Sequence, residues 1–127
     1  MAKIRDVAVT IEAAAVASSA LEMPVHETGD LLLCLFNKDT AGSGPSLPSG
    51  WSNISGFSNP LNTAGSGNYA FAKRATSSAE TLTLTYTSET SLTAVIAIRD
   101  VNGSTVADAI GTVAVAASDD STLPFTG

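Results

Sequence analysis

The segment TLTLTYTS at residues 81–88 alternates strictly between two kinds of side chain. A period of two places successive side chains on opposite faces of an extended strand, and it does not fit a helix. Threonine also favours strands, because its branched side chain packs well on a pleated surface. The alternation therefore predicts a β-strand with one face turned to a core and one to solvent. The inward residues are Leu82, Leu84 and Tyr86, and the outward residues are Thr81, Thr83, Thr85 and Thr87.

Similar patterns recur along the chain, with turn residues between them. Residues 4–11 alternate as a half-buried strand, with Ile4, Val7, Val9 and Ile11 on the apolar side. The run LLLCLFN after Asp30 is typical of a central strand covered on both faces. Three more strands are indicated over residues 68–74, 91–101 and 108–118, and Asn102-Gly103 is typical of a hairpin turn.

Residues 12–22 are open to two interpretations. Their Ala, Leu, Glu and Met content favours a short helix. Pro24 follows soon after, however, and the surrounding patterns are strand-like. Either way, six to eight short strands at regular spacing predict an all-β fold, an antiparallel β-sandwich of jelly-roll type with little helix.

The chain of 127 residues has the length of one domain. We expect a single β-sandwich domain over residues 1–118 and a C-terminal tail over residues 119–127. Between Lys38 and Gly67 runs a long stretch rich in Gly, Pro, Ser, Thr and Asn. Loops of such length in a small domain usually serve a function or an interface. The apolar residues expected to pin this loop onto the body are Leu47, Trp51, Ile54 and Phe57.

Charge and composition exclude several classes of partner. Twelve acidic residues against six basic ones give a net charge of −6, which disfavours phosphate backbones and anionic lipid. We therefore expect neither nucleic acid nor membrane as a partner, and no run is long enough for a membrane span. Asp6 and Glu12 interrupt the N-terminal segment, which does not resemble a secretory signal. The single cysteine, Cys34, is expected to be a buried thiol.

No motif indicates catalysis. His26 lacks a second imidazole or a cysteine for a zinc site and is expected on the surface. There is no G-x-S-x-G nucleophile elbow, and no spacing selects a pair among Glu80, Glu89 and Asp100. We expect no catalytic residues, no cofactor and no metal site, and we interpret the chain as not an enzyme.

The C-terminal letters LPFTG match a cell-wall sorting pentapeptide. That signal also needs a secretory leader, a hydrophobic span and a basic terminus, which this sequence lacks. We interpret the tail instead as an apolar hook for a neighbouring protein, formed by Leu123, Pro124 and Phe125.

A series of short motifs resembles small β-sandwich modules of tailed-bacteriophage virion proteins, found in tails, appendages and capsid decoration proteins. The series covers residues 25–110, about two-thirds of the chain. It comprises a Gly-Asp pair before an apolar strand, a Pro-x-Gly-Trp loop, a Tyr-containing strand followed by Ala and Glu, and the run AVIAIRDV. The matching positions are Gly29, Asp30, Pro48, Gly50, Trp51, Tyr69, Ala75, Glu80 and residues 94–101.

The resemblance implies a fold and a setting more than an activity. We expect a capsid decoration, or cement, protein that binds the major capsid protein on the outside of the shell. We expect it to be made in the host cytoplasm and to form homo-oligomers, with a trimer as one candidate state. Its candidate partner-binding residues are Trp51, Ile54, Phe57, Leu123, Pro124 and Phe125.

The alternative is a tail or surface module that recognises carbohydrate through the loop at residues 45–57. Trp51, Tyr69 and Tyr86 would then form an aromatic platform, unless all three fill the core or its rim.

Overall fold

In the computed structural model, which describes residues 1–38, 43–54 and 67–110, the chain forms a single sheet and a short helix. The strands are joined in the order β1-β5-β2-β4-β3, and every neighbouring pair is antiparallel. This confirms the predicted all-β, antiparallel fold with little helix. The elements are β1 (Lys3–Ala20), β2 (Leu31–Lys38), β3 (Ser52–Asn53), β4 (Gly67–Arg74), β5 (Thr83–Arg99) and α1 (Val106–Ile110).

The first strand is longer than the alternation at residues 4–11 predicts. β1 continues through the alanine-rich run to Ala20, so the strand interpretation of that run is correct and the helical one is wrong. Its register against β5 shifts between Glu12 and Val16 and again between Val16 and Ser18. Such irregularities bend a strand and increase its local twist. Because of this bend, residues 3–12 of β1 pair with the second half of β5, and residues 16–20 pair with its first half.

The two strands predicted over residues 81–88 and 91–101 are one continuous strand, β5. Its second half pairs with β1 on one side and β2 on the other. Of the strands, only β1 pairs with residues 83–89, and this part of β5 also forms backbone hydrogen bonds with Ser43 and Ser46. The ring of Tyr86 nevertheless lies 4.9 Å, centroid to centroid, from the ring of Phe36 on β2. The first half of β5 is therefore folded over the face of its own sheet, which gives two packed layers.

The core lies between these layers. Leu32, Cys34 and Phe36 of β2 point inward, in register with Phe71 and Tyr69 of β4 and with Val95 and Ala97 of β5. The remaining members of the cluster come from the chain that covers them or borders it, and they include Leu21, Trp51, Leu82, Leu84 and Tyr86. The inward positions predicted from TLTLTYTS are thus confirmed.

Asn102-Gly103 does not form the predicted hairpin. After Asp100, with φ of 58°, and Gly103, with φ of 82°, the chain enters α1. The Thr105 hydroxyl accepts a hydrogen bond from the Asp108 amide, and the Asp108 carboxylate accepts one from the Thr105 amide. This reciprocal arrangement is a capping box, which starts a helix. The strand predicted over residues 108–118 is therefore wrong at its start, and residues 111–118 lie outside the described part, as does the tail at 119–127.

Candidate interaction surface

The face of the sheet opposite the core is also apolar. Alternate residues of β1, β5 and β2 project from it in a shared register: Val7 pairs with Ile96, which also pairs with Leu33. We call this surface the outer apolar face. Its members are Ile4, Val7, Val9 and Ile11 from β1, Leu92, Ala94, Ile96 and Ile98 from β5, and Leu31, Leu33 and Leu35 from β2.

Exposure increases across this face from β2 to β1. Leu31 is buried, and Leu33, Leu35, Ile96 and Ile98 are half-buried. The five most exposed members keep between 45% and 68% of their surface open, and they are Ile4, Val7, Val9, Ile11 and Leu92. Single exposed apolar residues are normal, but a contiguous group marks an interaction site.

An apolar cavity of about 390 Å³ lies on the more covered side of the outer apolar face. It is bounded by the sheet below and by the end of α1 above. The lining residues are Leu31, Leu33, Leu35, Ile54, Ala70, Ile98, Ala109 and Ile110. The surface is therefore a groove near β2 and an open row near β1.

The opposite side of β1 is polar and is held by the chain that follows it. The Asp6 carboxylate accepts a hydrogen bond of 2.7 Å from the Val25 amide, and the Thr10 hydroxyl accepts one of 2.8 Å from the Glu22 amide. These contacts fix which side of β1 faces the body. The aliphatic row of β1 consequently points away from the core.

An ion pair anchors the N-terminal end of β1. The Arg5 guanidinium donates to the buried Asp30 carboxylate at 2.7 Å and to Glu27 at 2.9 Å, and both carboxylates raise the pKa of Arg5. Asp30 also accepts a hydrogen bond from the Glu27 amide. The Gly-Asp pair noted in the sequence thus ties β1 to the start of β2, with Gly29 in the left-handed region at φ of 92°.

A second ion pair closes the turn after β4. The Lys73 ammonium donates to the Glu80 carboxylate at 2.5 Å, and Glu80 also accepts from the amide and hydroxyl of Thr76. These contacts, above all the one with Lys73, lower the pKa of Glu80 to about 2. Glu80, one of the matching positions of the motif series, is therefore held by an ion pair with Lys73.

His26 is buried, so its predicted place on the surface is wrong. Only 5% of its surface is exposed. Its Nδ1 lies 2.6 Å from the Pro24 carbonyl oxygen, which can only accept, and its Nε2 accepts from the Glu80 amide at 3.1 Å. The ring is therefore neutral and joins two loops. The sequence carried no signal for these partners, because both are backbone groups.

Cys34 is buried, as predicted. Burial raises the pKa of its thiol to about 12. A thiol in this state is a poor nucleophile, because the thiolate is the reactive form.

The described candidate residues of the long loop lie on opposite sides of the sheet. Trp51 belongs to the core cluster with 6% of its surface exposed, and its amide donates to the Pro48 carbonyl. Ile54 is half-buried and lines the cavity of the outer apolar face. The structure does not bring these two together. Phe57, Leu123, Pro124 and Phe125 lie outside the described residues, and their role stays a prediction.

The rows of β1 and β5 that form most of the outer apolar face were not among the predicted partner-binding residues. The alternation was visible in the sequence, but the apolar side was interpreted as half-buried. The missing information was the polar contact of Asp6 and Thr10 with residues 22–25, which depends on the path of the chain after β1.

Other kinds of site receive no support from the described residues. Across residues 1–38, 43–54 and 67–110, no group of three or more His, Cys, Asp or Glu side chains is placed to hold a metal ion. In the same part of the chain, no helix is long and apolar enough to cross a membrane. Comparisons with protein-family models, curated proteins and solved structures found no match.

Proposed function

We propose that this chain is a non-enzymatic structural protein of a bacteriophage virion. In this proposal it decorates the outside of the capsid and stabilises the shell by binding the major capsid protein. The single observation that carries the binding role is the outer apolar face, in which five branched side chains of two neighbouring strands are 45–68% exposed. The resemblance of the sequence to virion modules supplies the setting.

The energetics favour a protein partner for this face. Covering a Val, Leu or Ile side chain completely is worth about 1.5–3 kcal/mol, so half-exposed ones gain about 1 kcal/mol each on contact. The members of the face from β1, β5 and β2 are all aliphatic, which suits another apolar protein surface. The capsid exterior is the partner we propose.

Carbohydrate recognition has less support. Its platform would need the rings of Trp51, Tyr69 and Tyr86, and each of these residues is buried. A sugar ring stacks on an aromatic face that is open to solvent, so we rank this function second.

The test locates the chain and then perturbs the face. Purified virions are separated into capsids and tails, and the chain is identified in each fraction by mass spectrometry. Recombinant chain is then added to capsids stripped of it, and cosedimentation is measured. We expect the chain on capsids, and we expect Ile11→Ser to weaken rebinding about tenfold, because it removes a 68% exposed side chain from the face.

The matched control is Thr83→Ser, an exposed substitution on the first half of β5, away from the outer apolar face. It should rebind like the parent chain. Detection of the chain in tails or in culture medium but not in capsids would overturn the proposal. Equal rebinding by Ile11→Ser and the parent would contradict the role of the outer apolar face in capsid binding.

A further inference from the structure

The edge of the sheet formed by β1 is long and open. β1 is the terminal strand of the sheet and pairs only with β5 among the described residues. The Glu22 and Val25 amides bind side chains of β1 on its polar side, but among the described residues no backbone–backbone hydrogen bond outside the β1–β5 pairing reaches residues 3–12. An edge of this length presents a row of unpaired amide and carbonyl groups that another strand can use.

The opposite edge of the sheet does not complement it. β3 contains two residues, Ser52 and Asn53, and pairs with β4 over that length alone. A head-to-tail contact between β1 of one copy and β3 of the next would leave most of β1 unpaired. Pairing of β1 with β1 instead uses the same edge on both copies, and a two-fold axis closes such an assembly at two chains.

The charges along this edge are self-complementary. Lys3 lies opposite Arg99 in the β1–β5 register, which places two cations side by side at one end of the edge. Asp100 lies 3.8 Å from the Arg99 guanidinium, whereas Lys3 forms no ion pair with a described residue, so a further anion near Lys3 would be favourable. Glu12 lies nine residues further along β1, roughly 30 Å away at the rise of a strand. In an antiparallel pair of β1 strands, the basic end of each copy approaches the acidic end of the other.

We infer that two copies of this chain associate by antiparallel pairing of β1 with β1 across residues 4–11, forming one continuous sheet. The rows of Ile4, Val7, Val9 and Ile11 from both copies then become adjacent and double the outer apolar face. The inference goes beyond capsid binding. It is tested on the purified chain without capsids, so its failure and the failure of the proposed function are distinguishable.

The first experiment measures mass in solution and then disrupts the edge. The parent chain is expected to sediment as a dimer at micromolar concentration. Val9→Lys places like charges near the two-fold axis and should raise the dimer dissociation constant at least tenfold. Leu92→Lys is the matched control, because Leu92 lies on the same face with similar exposure but one strand away from the edge. It should remain dimeric.

The second experiment reads the geometry of the pairing. Single cysteines are introduced at Ala8 and at Leu92, and each variant is oxidised under native conditions. The native Cys34 is buried, so we expect it to form no disulfide between copies. The β1 register skips Arg5, so pairing across residues 4–11 places Ile4 opposite Ile11, Val7 opposite Val9, and Ala8 on the two-fold axis. A disulfide requires Cα atoms closer than about 7 Å, so Ala8→Cys should cross-link efficiently. Leu92→Cys should not, because its copy would lie about three strand spacings away.

Three results would overturn the inference. A parent chain that is monomeric in solution would contradict the proposed dimer, whether the outer apolar face is then exposed to solvent or covered by other residues of the same chain. A dimer that survives Val9→Lys but dissociates in Leu92→Lys would indicate packing face to face. A dimer in which Ala8→Cys forms no cross-link would exclude the proposed pairing across residues 4–11. Circular dichroism of each variant, unchanged from the parent, shows that the fold is retained.

Discussion

Both faces of the sheet are apolar, but the inner face is buried in the core and the outer apolar face is partly exposed to solvent. The inner face carries Phe36, Tyr69 and Phe71 and is covered by the first half of β5. The outer apolar face carries branched aliphatic residues, of which the row on β1 stays open. Alternation alone does not decide which apolar side of a strand is buried; the segment that covers it does. The inner face should therefore govern stability and the outer face association.

Phe36→Ala should have the largest effect on stability. Phe36 is 2% exposed and contacts Tyr69 and Tyr86. Its loss leaves a cavity between the layers, and we expect the free energy of unfolding to fall by about 3–5 kcal/mol. Urea denaturation followed by tryptophan fluorescence measures this change.

The matched variant of the outer face is Leu92→Ala. Leu92 is 50% exposed, so its truncation should lower the free energy of unfolding by less than about 1 kcal/mol. Comparable losses for both variants would contradict the difference between the two faces, because they would show that Leu92 is covered in the folded monomer.

His26→Phe tests the polar rim of the inner face. The phenyl ring fills a similar space but leaves the Pro24 carbonyl and the Glu80 amide without the partners that His26 provides. Two unpaired buried groups should lower the free energy of unfolding by about 3 kcal/mol, measured by thermal unfolding. A change within about 0.5 kcal/mol would mean that water replaces both contacts.

Glu80→Gln should cost less and should do so in a pH-dependent way. The pKa of Glu80 is about 2 in the fold and near 4.3 when unfolded, so the unfolded chain binds more protons between these values. The stabilisation is complete above about pH 5 and is lost as pH falls toward 2. We expect a loss of about 2 kcal/mol at pH 7, after allowing for solvent screening.

The measurement for Glu80→Gln is urea unfolding at pH 7 and at pH 2.5. The difference between variant and parent should shrink at the lower pH, because the unfolded parent then binds a proton at Glu80 that the folded parent mostly does not. Glu22→Gln is the control, since Glu22 is exposed and its side chain forms no ion pair with a described residue. A difference that is the same at both pH values would contradict the assigned role of the Glu80 charge.

Much of the fold could be predicted from local patterns. The alternation at residues 81–88 identified the inward residues Leu82, Leu84 and Tyr86, because period two is a backbone property that tertiary contacts do not alter. The continuity of β5 could not be predicted in the same way. The bend between its halves arises where its pairing with β1 shifts, and that register is a long-range property.

The interaction surface was less accessible to sequence reasoning. The loop that contains Trp51 has the composition of a binding loop, but the large side chain of Trp51 fills part of the core. The row of β1 was visible as a pattern, whereas its direction depended on the acceptors Asp6 and Thr10. A short polar side chain that satisfies a distant amide leaves no periodic signal.

The smallest effect on stability is expected for Ile11→Thr, and this variant tests the comparison most sharply. Ile11 is 68% exposed, and threonine keeps the branched shape that suits a strand, so the free energy of unfolding should stay within about 0.5 kcal/mol of the parent. Association should respond instead, because the variant removes apolar surface from both copies at a β1–β1 contact. We expect a severalfold weaker dimer by sedimentation, with an unchanged urea midpoint measured at a concentration where the parent is monomeric. If the free energy of unfolding falls by more than about 1 kcal/mol while the dimer persists, the row of β1 stabilises the monomer, and the assignment of stability to the inner face and association to the outer face is wrong.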